Sequence, residues 1–257
     1  MTMTRDEKHR AIRSLLREGA IWSETAGCYD CLPPKVRERY EVTDSTNASS
    51  HGYDPYAQAI LQSCPSGWVL DCGAGSRSDF IPNVVNFEIA AYPSTDVLGV
   101  VEELPFKDDS FDGVLSLNVL EHVKDPFKAA REIARVLKPG GQLYCVVPFL
   151  QPVHGFPHHY YNMTAQGLAN LFEGHLRVDR QVLLASGLPI WSLSWILNHW
   201  HKGLPEEVRP SFLEMRVADL IGDPASYLGK PFVTQLPDRL NAELASTTGI
   251  LASKPKP

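Results

Sequence analysis

Two acids and two glycines, carried by two apolar segments, are the residues of this chain best suited to chemistry. The run Val69-Leu70-Asp71-Cys72-Gly73-Ala74-Gly75 is apolar, then acidic, then glycine-rich, and the apolar run Val84-Val85-Asn86-Phe87 ends on Glu88. Glycines directly after a buried strand let the backbone turn sharply and approach a ligand. An acid at the tip of the next strand is placed to accept hydrogen bonds from ribose hydroxyls. The spacing therefore predicts a nucleoside site beyond the ends of two parallel strands.

Five further segments follow this pair in a fixed order. They are Glu102-Glu103-Leu104-Pro105-Phe106, the apolar stretch 110–123, a helix from Asp125 to Leu137, Lys138-Pro139-Gly140-Gly141, and a strand over 142–147. In order and spacing, residues 66–149 resemble a class I S-adenosylmethionine-dependent methyltransferase of the large group that modifies small molecules. The resemblance implies a doubly wound α/β fold with a mostly parallel seven-stranded sheet, and S-adenosyl-L-methionine as the cofactor.

The resemblance also assigns cofactor contacts along these segments. The residues that it implies are Asp71, Gly73, Ala74, Gly75, Glu88, Ile89, Val101, Glu102, Leu104, Asn118 and His122. Two positions depart from the family pattern. Arg77 stands where a third glycine is usual, so its guanidinium either reaches a cofactor carboxylate or a substrate anion, or marks an altered pocket. Val100 stands where relatives place the aspartate that holds the adenine amino group, so that carboxylate comes from Glu102 or is absent.

A histidine- and tyrosine-rich loop, residues 154–161, follows the fifth predicted strand and is expected at the mouth of the same cleft. Methyl transfer from a sulfonium is an in-line displacement that depends mainly on orientation. A hydroxyl acceptor also needs a base of near-neutral pKa, which histidine provides. We therefore predict His154, His158 and His159 as catalytic candidates, with substrate contact or a packed structural loop as alternatives. No metal is predicted, because adjacent histidines in an extended loop point apart.

Composition and charge bear on the partners, the compartment and the metal content that we expect of this protein. The 257 residues carry a net charge of −6 and no basic run, which argues against a nucleic-acid partner. The first ten residues are polar, and no apolar stretch approaches the ~20 residues of a membrane span, so we expect a cytoplasmic protein without stable membrane insertion. Five cysteines, an odd number, fit a reducing compartment. The Cys28–Cys31 pair lacks the second ligand pair that a zinc site requires.

Four regions are predicted along the chain. Residues 1–65 form an N-terminal helix, begun by the capping box Thr4–Glu7, and a cover segment that is irregular over 22–53 and ends in a helix over 54–63. Residues 66–185 form the cofactor-binding core, 186–241 a helical insertion, and 242–257 a terminal strand and tail. Strands over 176–185 and 243–252 are expected to close the fold as a hairpin.

Short connections in the core predict a reduced set of helices. Only about eight residues separate Glu88 from the strand near Val97, so no crossover helix is expected there. Pro82 limits any helix after the glycine turn to two turns. One edge of the sheet should therefore be bare, or covered by the N-terminal segment. Helix 125–137 should face the core through Phe127, Ala130, Ile133 and Leu137.

The insertion is predicted to hold helices near 189–202 and 205–221. Trp191 and Trp195 fall on one face of the first helix; Leu193, Ile196, Leu197 and Trp200 fall on the other. A helix with two apolar stripes has two neighbours: the sheet domain and either the next helix, an apolar substrate, or the second subunit of a homodimer. The expected function is methyl transfer to a small or medium-sized acceptor, with O- or N-methylation favoured. The alternatives are a methyltransferase-like binding domain without catalysis, and an enzyme for a protein or lipid-linked acceptor.

Overall fold

The computed structural model describes residues 3–25, 27–42, 52–155 and 158–245. The chain divides into two compact units. The sheet unit comprises Met1–Phe149 and Gly155–Gln181, and the helical unit comprises Leu150–His154 and Val182–Pro257.

The described residues of the sheet unit form a seven-stranded sheet, the number that the resemblance implied. They are β1 (Ser23–Thr25), β2 (Cys28–Asp30), β3 (Val69–Cys72), β4 (Val84–Glu88), β5 (Val97–Leu98), β6 (Phe111–Leu117) and β7 (Leu137–Val146). Their order is β1-β2-β5-β4-β3-β6-β7, and every neighbouring pair except β1–β2 is parallel. Strand β3 is central and buried along its whole length, so its carboxyl end lies between those of β4 and β6.

The described part of the sheet unit also contains five α-helices: α1 (Arg5–Leu15), α2 (Pro34–Arg39), α3 (Pro55–Ser63), α4 (Pro126–Val136) and α5 (Ala165–Phe172). In four of them a side-chain oxygen of the cap residue accepts from a free amide of the first turn; the cap residues are Thr4, Asp54, Asp125 and Thr164. One predicted core residue of α4 is wrong. Phe127 is 48% exposed, because the preceding Pro126 takes the buried position in the first turn.

The N-terminal segment covers the β5 edge of the sheet. Residues 22–42 were predicted to be irregular, but they contain β1, β2 and α2. Strand β2 pairs with β5 through Tyr29 and Val97, and Lys8 of α1 forms a 2.7 Å ion pair with Asp96. The fully described stretch 89–96 contains no helix, which confirms the missing crossover, and 73–83 contains none either. The sheet thus gains its sixth and seventh strands from the N-terminal side.

The predicted closing hairpin is wrong over its described part. Residues 177–184 do not pair with β7, and Asp238–Glu243 is a helix where the partner strand was to begin. Without that partner, the 177–184 segment has no ladder to join. Gln181 instead donates to the Ala165 carbonyl at 2.9 Å, and the Arg180 guanidinium lies 5.2 Å from the Tyr56 ring centre. Residues 246–252 of the predicted terminal strand lie outside the described residues.

Up to residue 245, where its description ends, the helical unit contains five further α-helices: α6 (Pro189–Gly203), α7 (Arg209–Leu213), α8 (Val217–Leu220), α9 (Pro231–Thr234) and α10 (Asp238–Glu243). The helix predicted over 205–221 is divided into α7 and α8, because the Arg216 amide donates to Asp219 at 2.8 Å and starts a new helix. A small core of Leu204, Val208, Phe212 and Leu236 packs against Leu197 and Trp200 of α6. The following helices therefore cover that face of α6. In the described part of the chain, no helix has the length and apolarity of a membrane span.

Candidate functional site

The glycine turn after β3 adopts a backbone that requires glycine. Gly73 and Gly75 have φ angles of +75° and +64°, in the left-handed region that side chains with a Cβ rarely adopt. The amides of Gly73 and Ala74 donate to the Phe87 carbonyl at 2.9 and 3.1 Å, which ties the turn to β4. A Cβ on Gly73 would overlap the Val119 side chain. The turn is therefore specified by both conformation and space.

Glu88, at the end of β4, holds this turn in place. Its Oε1 accepts from the Gly75 amide at 2.9 Å, and its Oε2 accepts from the Ile89 amide at 2.6 Å. Burial raises the pKa of the carboxyl, and these backbone hydrogen bonds oppose the rise. A carboxylate has about four acceptor positions, so Glu88 keeps capacity for further donors. The predicted neighbourhood of Glu88 and the glycine turn is confirmed; its role as a ribose ligand stays a prediction.

Asp71 is buried beneath the turn and is paired with Arg77. Its Oδ2 accepts from the Tyr53 hydroxyl at 2.6 Å and from Arg77 Nε at 2.9 Å, and the Arg77 guanidinium lies 4.2 Å from the Tyr53 ring centre. Burial raises the pKa of Asp71, and the Arg77 charge opposes this. The Arg77 charge is thus balanced within the protein. Among the described residues, Asp71 Oδ1 has no hydrogen-bond partner.

Sequence reasoning missed Tyr53. In the sequence Tyr53 lies directly before Asp54, the cap of α3. That position does not predict a contact with Asp71, which lies eighteen residues later.

The segment predicted to meet the adenine ring is the short 3-10 helix Val101–Glu103 and Leu104. Val101 and Leu104 are buried in the main core, and Val100 is buried in a separate cluster with Cys28 and Leu32. The Glu102 carboxylate accepts from the backbone amides of Lys124 and Asp125, at the start of α4, where a helix dipole favours an anion. Burial still raises its pKa. The structure thus gives the Glu102 carboxylate partners other than the predicted adenine amino group.

Asn118 and Ile89 complete the edge formed by the carboxyl ends of β3, β4 and β6. Asn118 is exposed, with a φ angle of +56°, and its amide donates to the Val146 carbonyl at 2.9 Å. A left-handed backbone is uncommon outside glycine and is best tolerated by asparagine and aspartate. Ile89 is also exposed. The structure therefore brings the predicted contacts of the three strand ends to one edge, where ligands of open α/β sheets bind.

The loop after β7 is hydrogen-bonded to the 3-10 helix Leu120–His122 after β6. The Glu121 carbonyl accepts from the amides of Tyr160 and Tyr161 at 2.7 and 3.1 Å. His122 Nδ1 lies 2.7 Å from the His158 carbonyl oxygen, and the rings of His122 and His159 are 5.5 Å apart. The predicted residues His122, His158 and His159 are therefore neighbours.

The two loop histidines also have local partners of their own. His158 Nε2 lies 3.1 Å from a Glu41 carboxylate oxygen, and its ring stacks on Tyr160. His159 Nε2 lies 3.0 Å from the Asn162 side-chain oxygen. His154 belongs to the helical unit, where its Nδ1 lies 2.8 Å from the Pro152 carbonyl oxygen and its ring is 5.1 Å from Trp195. Phe156 and Pro157 lie outside the described residues, and the catalytic roles of the three histidines stay predictions.

Glu121 is a second residue that sequence reasoning missed. Its side chain is 0% exposed, and burial raises the pKa of its carboxyl to about 8. An acid between an apolar strand and a histidine was visible in the sequence, but its burial depends on the packing of β6, β7 and the loop over them.

Cys28 and Cys31 form no disulfide in the described part of the chain. Burial raises the pKa of Cys28 and raises that of Cys31 to about 12. Both are therefore protonated near neutral pH, the form in which thiols are poor nucleophiles and metal ligands.

Residues 72–145 match a protein family described as a methyltransferase domain. An uncharacterized methyltransferase of Mycobacterium tuberculosis is 37% identical over 107 residues, which covers 35% of this chain and 44% of the relative. A demethylmenaquinone methyltransferase of Renibacterium salmoninarum is 29% identical over 150 residues, covering 51% of this chain and 61% of the relative. The chain thus spans less than half of the length of the mycobacterial relative.

Two solved structures align with the chain at low similarity. The YcgJ protein of Bacillus subtilis has 22% identity and a TM-score of 0.39, covering 60% of this chain and 86% of that one. The [4+2]-cyclase SpnF has 16% identity and a TM-score of 0.41, covering 80% and 86%.

Proposed function

We propose that this protein transfers a methyl group from S-adenosylmethionine to a small or medium-sized acceptor, because residues 72–145 match a family described as a methyltransferase domain. The observation that carries the proposal is the glycine turn, held by Glu88 at the shared edge of β3, β4 and β6. This edge is where an open α/β sheet binds its ligand.

The residues at this edge suit the parts of the cofactor. The Gly73–Gly75 backbone and the unpartnered Asp71 Oδ1 offer a close approach and an acceptor for the cationic amino-acid end. Glu88 has free acceptor capacity for ribose hydroxyls. Val101 and Leu104, the predicted purine contacts, are buried in the main core, so they support this edge and do not offer it an open apolar surface. The bound cofactor supplies a methyl group on a positively charged sulfur, and the remaining task of the protein is to orient the acceptor.

The acceptor would be oriented beside His122, His158 and His159. An oxygen or nitrogen acceptor loses a proton as it is methylated, and an imidazole of near-neutral pKa takes up such a proton. A second candidate is a carbon acceptor on a quinol-like ring, which is favoured by the match to the relative named demethylmenaquinone methyltransferase. In both cases the aromatic loop supplies flat surfaces for an aromatic acceptor.

The proposal is tested by calorimetric titration of the full chain with S-adenosylhomocysteine, which needs no knowledge of the acceptor. Micromolar binding is expected in the wild type. Glu88→Gln, which keeps one carbonyl oxygen but loses the charge, should weaken binding about tenfold or more. Glu173→Gln removes an exposed acid of the sheet unit and should leave affinity unchanged.

No binding at millimolar ligand would reject the enzyme and favour a binding domain that has lost its cofactor. Binding that is equal in Glu88→Gln and the wild type would reject the assigned edge. With binding established, hydroxyl, amine and hydroquinone acceptors can be compared by following the methyl group into the product.

A further inference from the structure

Glu121 is a buried acid whose carboxylate has no evident role in stabilising the fold. Its side chain is completely buried, and neither carboxylate oxygen has a hydrogen-bond partner among the described residues. Buried polar groups are almost always hydrogen-bonded, because an unpaired buried carboxylate loses its hydration without compensation. Burial accordingly raises the pKa of this carboxyl to about 8. Near neutral pH the side chain therefore carries a proton that it can donate.

The neighbouring His122 presents a matching nitrogen. Its Nε2 lies 3.7 Å from Glu121 Oε1, outside hydrogen-bond length but within the range of an ion pair. Its Nδ1 lies 2.7 Å from the His158 carbonyl oxygen, which accepts and never donates. Nδ1 must therefore carry a hydrogen. In a neutral imidazole Nε2 then carries no hydrogen and can accept one from a protonated Glu121, so the two side chains are complementary when they hold one proton between them.

The imidazole ring has little room to turn and exchange its nitrogens. Gly155, with a φ angle of +81°, lies so close that a Cβ on it would overlap the ring. The ring of His159 approaches edge-on from the loop. The Cys145 thiol on β7 also lies near Glu121; burial raises its pKa to about 12, so it stays protonated.

On the basis of the proposed methyl transfer, we propose that Glu121 is a positioning residue that acts through His122. The two side chains share one proton, which fixes the tautomer and orientation of the imidazole beside the acceptor loop, residues 158–161. The carbonyl of Glu121 fixes that loop through Tyr160 and Tyr161, so one residue sets both the histidine and the loop.

Histidine ¹⁵N spectra of the full chain, recorded from pH 5 to 9, test the proposal without cofactor or acceptor. The His122 signals are assigned by their loss in His122→Gln. In the wild type we expect a protonated Nδ1 throughout, with loss of the shared proton near pH 8. In Glu121→Gln the amide can donate to Nε2, so the tautomer should persist, whereas the titration of His122 should move down by at least about one pH unit, a tenfold change in proton affinity.

The matched control is Glu103→Gln, which makes the same substitution in a carboxylate that pairs with Lys128 at 2.9 Å. It should leave the His122 titration unchanged. A titration in Glu121→Gln that coincides with the wild type would overturn the proposal. The proposal would also be overturned if the neutral His122 of the wild type were protonated at Nε2 instead of Nδ1. This second result is read from the wild type alone, so it does not depend on whether a variant folds.

Failure of this proposal and failure of the proposed function are separate results. Loss of S-adenosylhomocysteine binding concerns the glycine turn, whereas the spectra concern the Glu121–His122 pair alone. Gly155→Ala supplies a second variant, since it displaces the ring and leaves the carboxyl intact. We expect this variant to lose the Nδ1-protonated tautomer. If the tautomer is fully retained, the claim that the His122 ring has little room to turn is wrong.

Discussion

The two compact units differ in how they use apolar side chains. The sheet unit buries a continuous cluster in which Leu70, Val114 and Ile133 are completely buried. The helical unit buries four apolar side chains and leaves large ones on its surface: Leu183, Ile190, Trp191, Leu213, Val217, Ile221 and Leu228. Every contact of the proposed cofactor edge lies in the sheet unit. The large core of the sheet unit thus supports the groups of the proposed site. The helical unit has a small core and exposes large apolar side chains.

This difference indicates separate tasks. A site that depends on left-handed glycines and a buried ion pair needs surroundings that cannot relax, and interiors packed at crystal-like density provide them. Exposed apolar patches are typical of surfaces that meet other apolar groups. Substitutions in each unit test whether the two cores differ in this way.

A matched pair of phenylalanine truncations should give the largest contrast. Phe106 is completely buried and contacts the Phe111 ring edge-on at 4.9 Å, so Phe106→Ala should cost about 4 kcal/mol of unfolding free energy. Phe212 stacks on Trp200 in the small core of the helical unit, and Phe212→Ala should cost about 2 kcal/mol because that core can collapse more easily. Denaturant unfolding measures both, and equal costs would remove the contrast.

The ion pair beneath the glycine turn should show strong coupling. Asp71→Asn leaves the Arg77 charge largely buried without its partner and should cost about 3 kcal/mol. The double variant Asp71→Asn with Arg77→Met removes both charges and should be more stable than Asp71→Asn alone. A double-mutant cycle measures the coupling energy; additive effects would show that the pair does not hold the turn.

The smallest effect is expected on the surface of the helical unit. Ile221 is 78% exposed, so Ile221→Ser should change the unfolding free energy by less than about 0.5 kcal/mol. Thermal and denaturant unfolding at several protein concentrations check this. A cost above about 1 kcal/mol that grows with concentration would mean that a second copy of the chain covers this surface.

Local patterns in the sequence were enough for part of the fold and of the site. The apolar run of β3, the glycines after it, Glu88 and the caps of α3, α4 and α5 are each specified by residues a few positions apart. Strands β1 and β2 are three residues long, too short for an alternating pattern to be visible. The 176–185 segment had a strand pattern, but a strand also needs a partner, and the sequence does not show where the partner lies.

The site was harder to predict wherever a role depends on a distant contact. Arg77 and Asp71 are close in sequence, yet their pairing depends on Tyr53 from before α3. Glu102 was assigned to the cofactor because of its position, but the start of α4 supplies its hydrogen bonds. Glu121 is completely buried, which no local pattern around it indicates. Each of these outcomes is set by tertiary packing, which periodicity and motif spacing do not encode.

We propose that the glycine turn and the neighbouring strand ends hold S-adenosylmethionine. An amide NMR titration of the labelled full chain with S-adenosylhomocysteine tests this without an acceptor. Saturable shifts should be largest at the amides of Gly73, Gly75, Ile89 and Asn118. Binding that leaves these four amides unchanged, or no binding at millimolar ligand, would contradict it.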